Sequence, residues 1–217
     1  MVKTFDFTHG KEHHWIDVQI PSELEQVKVS AVYPTATVSS NQAATAFKWN
    51  VMTSHDTNDL LVATPATTTV NSTSPIELTF SHVLHKLKVN LNGESQLTAN
   101  ATITCKNFKP EAVVNLLEGK ATSASGQLQS KTVSGKTAEF IIPAQPVGTM
   151  ELAFHVNNND YSLNLGDFKV QGQKVTELKS GMTLELNVTI TKNGFTVTGQ
   201  HISAWGEQGS ANGNIIL

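Results

Sequence analysis

His9-Gly10-Lys11-Glu12-His13 spells HxxEH, the inverted zinc-protease pattern. That chemistry needs both histidines one turn apart on a rigid helix, with the glutamate as general base. Gly10 sits inside the motif, and Phe5-Asp6-Phe7-Thr8 before it alternates as a strand does. The spacing therefore predicts a solvated terminal loop, with His14 able to join His9 and His13 only in adventitious metal binding. A second candidate is His55-Asp56-Thr57-Asn58-Asp59, which opens like a calcium loop with side-chain oxygens at its first and third positions. Leu60 then takes the fifth position and no glycine follows at the sixth, so Asp59 is read as ending a turn before the Leu60-Leu61-Val62 strand.

Nucleophilic chemistry fares no better. The chain has one cysteine, Cys105, in Thr-Ile-Thr-Cys-Lys, where Ala101, Ile103 and Cys105 share one face and Thr102, Thr104 and Lys106 the other. That pattern predicts a buried small hydrophobe, and a single cysteine closes no disulfide within the chain. No GxSxG elbow marks a serine for a Ser/His/Asp arrangement. Glu94, Glu111, Glu118, Glu139 and Glu151 fall on separate strands or loops, so paired carboxylates for glycoside hydrolysis are neither indicated nor excluded. The expectation is no catalysis, no metal and no cofactor.

The elements that would position any of these groups are strands. Hydrophobic residues make up 39% of the 217 and charged residues only 15%, so the polar surface is Thr, Ser, Asn and Gln, which favours strands and loops over long solvated helices. All 15 basic residues are lysines, the net charge is −3, and no stretch approaches the length of a bilayer-spanning helix. Without arginine or clustered positive charge, nucleic-acid binding is not expected. Short β-patterned runs separated by Pro, Ser, Asn and Thr extend from Trp15 to His201. The one segment read as helical is Pro110–Leu117, with proline in the first turn and Gly119 as the stop.

Phe80 to Leu91 carries the clearest pattern, that of one half-buried strand. Val83, Leu87, Val89 and Leu91 share a parity that faces a core, and Lys86, Lys88 and Asn90 the parity that faces water. His85 shares the inward parity. Two hairpins follow from spacing. Leu152, Phe154 and Val156 meet Tyr161, Leu163 and Leu165 across a four-residue Asn157–Asp160 loop, placing Val156 opposite Tyr161. Leu184, Leu186, Val188 and Ile190 meet Val197 across Asn193-Gly194, a pair suited to a type I′ turn.

Phe80-Ser81-His82 leading into Lys86-Leu87-Lys88-Val89 resembles the fimbrillin-like proteins of Bacteroidales, the surface and pilus subunits of those bacteria. The resemblance extends to Val27–Pro34 with its Tyr-Pro, to Asp59-Leu60-Leu61-Val62-Ala63, to Leu184–Ile190 and to Ile202-Ser203-Ala204-Trp205, covering most of residues 27–205 in order. It implies a non-enzymatic fimbrial subunit at the cell surface, assembled by strand exchange with other fimbrial subunits and serving adhesion. It further implies export as an outer-membrane lipoprotein whose lipid-bearing cysteine is not in this chain. The first residues, Met1–Gly10, have no apolar h-region and are read as carrying no signal peptide, which fits a mature or trimmed form.

Together these readings predict an all-β chain of two tandem β-sandwich modules, Greek-key and immunoglobulin-like or transthyretin-like. Residues 1–74 form the first and 75–217 the second, with the Thr/Ser/Pro-rich Thr64–Pro75 as linker. After Trp205 a Gly/Ser/Asn spacer leads to Asn214-Ile215-Ile216-Leu217. That terminal tetrapeptide either pairs back onto its own sheet or adds to the sheet of another subunit. Trp205 is either a core closure or an exposed stacking platform. The competing function, a surface carbohydrate-binding module, would use Trp205 or Trp15 in that second way.

Overall fold

The computed structural model describes residues 20–21, 23–34, 43–53, 59–93, 98, 100–170, 172–191 and 194–205, without the side chains of 191–204. The strands, in chain order, are β1 (Gln26–Val29), β2 (Val32–Tyr33), β3 (Phe47–Asn50), β4 (Leu61–Ala63), β5 (Ala66–Thr69), β6 (Phe80–His82) and β7 (His85–Gly93). β8 (Thr102–Phe108), β9 (Glu111–Asn115), β10 (Lys120–Ser125), β11 (Gln129–Ser134), β12 (Thr137–Ile142) and β13 (Gln145–Pro146) follow. The last are β14 (Glu151–Val156), β15 (Asn159–Asn164), β16 (Lys169–Val170), β17 (Gln173–Lys174), β18 (Glu177–Leu178), β19 (Met182–Thr191) and β20 (Gly194–Ala204). The fold is all-β, as the composition predicts.

Two four-stranded sheets dominate, ordered β11-β8-β14-β15 and β12-β7-β19-β20. Their alternating residues supply one continuous core: Ile103, Cys105, Leu152 and Phe154 from the first, and Leu87, Val89, Phe140, Leu184 and Leu186 from the second. β7 is the centre of the second sheet. It pairs antiparallel with β12, Phe140 opposite Leu87, and parallel with β19, Leu184 opposite Leu87 and Leu186 opposite Val89. The parity read from the sequence holds: His85, Leu87, Val89 and Leu91 are buried while Lys86, Lys88 and Asn90 are half-buried on the other face. The outer face is tied by Lys86 to Glu139 at 2.9 Å, Lys88 to Glu185 at 3.2 Å, and the Asn90 amide to Glu185 and Asn187.

Smaller sheets carry the earlier part of the chain, in the orders β2-β4-β6, β10-β9-β3 and β1-β5. Strands on either side of residue 74 pair directly, β4 with β6 and β3 with β9. Phe47, Trp49, Leu60 and Val62 belong to the same core as the large sheets.

Three local expectations are corrected. Phe80 to Leu91 is two strands rather than one. The chain breaks at Val83-Leu84, both buried, so that β6 joins β4 while β7 enters the large sheet. Pro110–Leu117 is no helix. Ala112 and Val114 are buried and Glu111, Val113 and Asn115 half-buried, an alternation that β9 satisfies by pairing with β3 and β10. Adjacent β-branched valines favour the strand, and Gly119 at φ +67° turns the chain back into β10. The β14–β15 hairpin closes two residues earlier than the spacing suggests, with Phe154 opposite Tyr161 and Val156 opposite Asn159. Asn157 and Asn158 both adopt positive φ, 48° and 62°, so a two-residue turn suffices. The shift of two preserves which side chains share a face.

The β19–β20 hairpin forms with Val188 opposite Val197 and Ile190 opposite Phe195. Thr191 pairs with Gly194, which makes Gly194 the first residue of the returning strand. Lys192 and Asn193 lie outside the described residues.

Candidate functional site

The segment Phe80–His85 is gripped from two sides. β4 holds His82 opposite Leu61. From the other side the chain entering β19 clamps it: Gly181 N–H donates to the Leu84 carbonyl at 2.8 Å, and Ser180 Oγ donates to the Val83 carbonyl at 2.8 Å. His85 Nδ1–H donates to the Lys179 carbonyl at 2.9 Å. Gly181 at φ +68° has its Cα so close to the His82 carbonyl oxygen that a Cβ would lie 2.9 Å from it. No other residue type fits that approach without a shift.

This clamp places three polar or aromatic side chains together. His82 Nδ1 lies 2.7 Å from Asp59 Oδ2, with both side chains nearly buried. The carboxylate's other oxygen accepts from Leu60 N–H at 2.8 Å. Burial holds the Asp59 carboxyl above the usual carboxylate range, although His82, the Leu60 amide and Lys86 all act to lower it. On its open face the His82 ring stacks on Trp205, centroids 4.0 Å apart and planes 5° from parallel. Trp205 is partly buried against the core, and its backbone N–H donates to the Gly181 carbonyl at 3.0 Å. Lys86 Nζ stands 5.8 Å from the indole centroid. His82 Nε2 and His85 Nε2 are buried with no hydrogen-bond partner.

Trp205 is thus partly buried against the core and gives one ring face to His82. Trp49 is also buried, and Trp15 lies outside the described residues. Asp59, just before β4, carries a histidine the spacing did not reveal, because the contact depends on β6 pairing with β4; the turn it was expected to end lies outside the described residues. His85 points inward as its parity predicts, and burial lowers its pKa to about 4, partly offset by the bond to Lys179. Cys105 is buried, and burial alone pushes its thiol up to about 12, which leaves it protonated and unreactive at neutral pH.

Glu94 lies outside the described residues, and the described glutamates have separate partners. Glu111 accepts from Ser125 and faces Lys48, Glu139 pairs with Lys86, and Glu151 accepts from Ser162. Among the described residues no group of three or more His, Cys, Asp or Glu could hold a metal ion. His9, His13 and His14, the 55–58 part of the calcium-like loop, and the tetrapeptide Asn214, Ile215, Ile216 and Leu217 lie outside those residues.

A groove of about 670 Å³ opens beside the clamp. Its walls include Thr122–Ala124 of β10, Leu128, Gln145 and Pro146 of β13, and Glu177–Ser180. Among the described residues β10 is hydrogen-bonded on one side only, to β9, and β13 only to β18. Leu128 is 53% exposed. The Gln145 amide bonds both Lys109 N–H and the Lys109 carbonyl, at 2.9 and 3.1 Å, standing in for a strand partner. A smaller depression on the outer face of β8, β14 and β15 is lined by Thr104, Lys106, Ala153, His155, Asp160, Tyr161 and Ser162. No Phe, Tyr or Trp lines the groove, and Tyr161 and His155 are the rings that line the depression.

A family model described as fimbrillin-like matches residues 4–205. Among solved structures, a candidate cell adhesion protein from Bacteroides uniformis is similar at TM-score 0.69 and 19% identity, covering 86% of this chain and 75% of that one. Another from Bacteroides ovatus gives TM-score 0.62 and 20% identity over 88% and 72% of the two chains. A third from Bacteroides thetaiotaomicron gives 0.50 and 17% over 86% and 74%. At these identities the likeness is one of fold. No curated protein matches the chain.

Proposed function

The chain belongs to the fimbrillin-like family, and from that premise we propose that it is a non-enzymatic, surface-exposed fimbrial subunit serving adhesion. The names of its structural relatives as cell adhesion proteins support the same reading. In it the parts before and after residue 74 act together, since β4 pairs with β6 and β3 with β9 across that point. Export to the outer membrane through a lipid anchor belongs to the reading too.

We further propose that subunits associate by strand addition. The observation that carries this is the groove beside the clamp. β10 and β13 enter its wall, each with one hydrogen-bonded neighbour among the described residues. Alongside them stand apolar side chains of Leu128, Val147 and Leu178. An extended Asn214-Ile215-Ile216-Leu217 from a neighbouring copy supplies backbone donors and acceptors to a strand edge and alternate apolar side chains to the pockets. A head-to-tail contact of this kind propagates into a filament rather than closing a dimer.

Truncation after Gly206 tests the assembly step. The expected result is an unchanged melting temperature with association to full-length protein lost. A large fall in melting temperature with association intact would show that the tail is a strand of its own sandwich.

A further inference from the structure

The two large sheets have outer faces of different chemistry. On the sheet centred on β7 the outer polar side chains are taken up by one another, Lys86 with Glu139, and Lys88 and Asn90 with Glu185. On the sheet β11-β8-β14-β15 the positions that alternate with buried Ile103, Cys105, Leu152 and Phe154 form cross-strand rows of mostly uncharged groups. One row runs Ser134, Thr102, His155, Asp160, and the next runs Thr132, Thr104, Ala153, Ser162. Ala153 has the smallest side chain in either row, and it lines a depression of about 340 Å³. That volume is at the small end of the range for ligand pockets. We propose that this depression is a binding site for one uncharged sugar residue.

The groups around Ala153 keep hydrogen-bonding capacity after their contacts within the sheet. Thr104 and Thr132 share one hydrogen between hydroxyls 2.9 Å apart, so the pair still has one hydrogen to donate and lone pairs to accept. Ser162 Oγ donates to Glu151 at 2.9 Å and keeps its lone pairs. His155 Nδ1–H donates to the Asp160 carboxylate at 2.7 Å, which orients the ring and makes Nε2 of the neutral imidazole an acceptor. Sugar hydroxyls both donate and accept, and a pyranose C–H face can rest on the Ala153 methyl. Charge sets the class of sugar. Lys106 is the one cation in the lining, while Asp160 lines the depression and Glu151 stands opposite Lys106 on β14. A carboxylate or sulfate would meet two carboxylates and one ammonium, so an acidic sugar is disfavoured. A protein partner is disfavoured too, because an interface core calls for apolar and aromatic anchors, and Tyr161 is partly buried against the core. One small open site binds weakly, and a filament that repeats it in every subunit gains by multivalency. In that use alone the inference rests on the adhesion reading.

The test is amide NMR of the full chain titrated with methyl glycosides of glucose, galactose, mannose and N-acetylglucosamine, and with sialic acid as the acidic probe. A neutral glycoside should shift the amides of β8, β14 and β15, and sialic acid should not. Ala153→Ile, which fills the depression, should abolish those shifts. Ser162→Ala, at an exposed position, should weaken binding several-fold, and Lys88→Ala on the other sheet should leave it unchanged. No shift of these amides with any neutral glycoside, binding of sialic acid alone, or equal binding by Ala153→Ile overturns the proposal. Should Ala153→Ile fail to fold, Ser162→Ala decides, and an unchanged affinity overturns it. Free sugars report on the site whatever the subunit does in a filament. Sugar binding by the chain, with assembled subunits that do not hold beads coated with the same sugar, would uphold the site and sink the adhesion reading.

Discussion

The His82 imidazole and the Trp205 indole lie face to face at 4.0 Å, 5° from parallel, joining β6 of a small sheet to the end of the large one. Between them they bring the early and late parts of the chain into one contact, and the clamp at Lys179–Gly181 locks the backbone on which it depends. Gly181→Ala should therefore be costly. Its φ of +68° and a Cβ 2.9 Å from the His82 carbonyl oxygen combine backbone strain with a clash, about 1–3 kcal/mol. Gly172→Ala, at φ +82° with nothing within 4 Å, should lose only the strain, about 1 kcal/mol. Urea denaturation of both variants checks the order, and equal losses would mean the Gly181 approach is not tight.

Leu87→Ala should remove a core contact. The side chain is fully buried between Phe140 and Leu184, so a loss of about 2–5 kcal/mol is expected. Lys88→Ala next to it gives up a half-exposed pair with Glu185, worth under about 1 kcal/mol. Reversed magnitudes would mean that β7 faces the other way.

That inward parity of β7 was legible in the sequence, as were Cys105 in the core and the β14–β15 and β19–β20 pairings. The reason is common to all: strand alternation is a period-two signal that survives any register shift by two. The helix expected at Pro110–Leu117 failed because proline and glycine punctuation reads alike for a short helix and a hairpin strand, and only pairing with β3 and β10 decides. Asp59 and His82 were each visible, the first in the Asp-Leu-Leu-Val-Ala run and the second in Phe-Ser-His. Their contact was not, because it arises from the register of β4 on β6 and from the chain break at Val83-Leu84. The groove was invisible for a similar reason, since its walls come from strands whose pairing no local pattern specifies.

His85 predicts an acid sensitivity. Its pKa falls from 6.5 unfolded to about 4 folded through burial, so between those values the unfolded chain binds more protons. The stability it contributes is complete above pH 6.5 and is lost as pH falls through that window toward 4. Asp59 acts in the opposite sense, its raised folded pKa favouring the fold as pH falls toward 3.8. Melting temperature should decline from pH 7 to 4.5, and His85→Asn, which retains a donor toward the Lys179 carbonyl, should flatten that decline. An unchanged slope would contradict the burial of a neutral His85.

Cys105 should be silent toward a thiol reagent in the native state and react fully once the chain is unfolded. Burial and a thiol pushed up to about 12 remove both access and the reactive thiolate. Rapid native labelling would place the β8 thiol outside the core.

That inert thiol permits a direct measurement of strand addition. Copies carrying Ile216→Cys are mixed, under mild oxidation, with copies carrying Leu128→Cys, whose parent side chain is exposed on the groove wall. Strand addition between subunits predicts a mixed disulfide dimer, lost when an excess of unmodified full-length chain competes for the groove. A disulfide that forms only inside single chains carrying both cysteines, with no mixed dimer at any concentration, would contradict it.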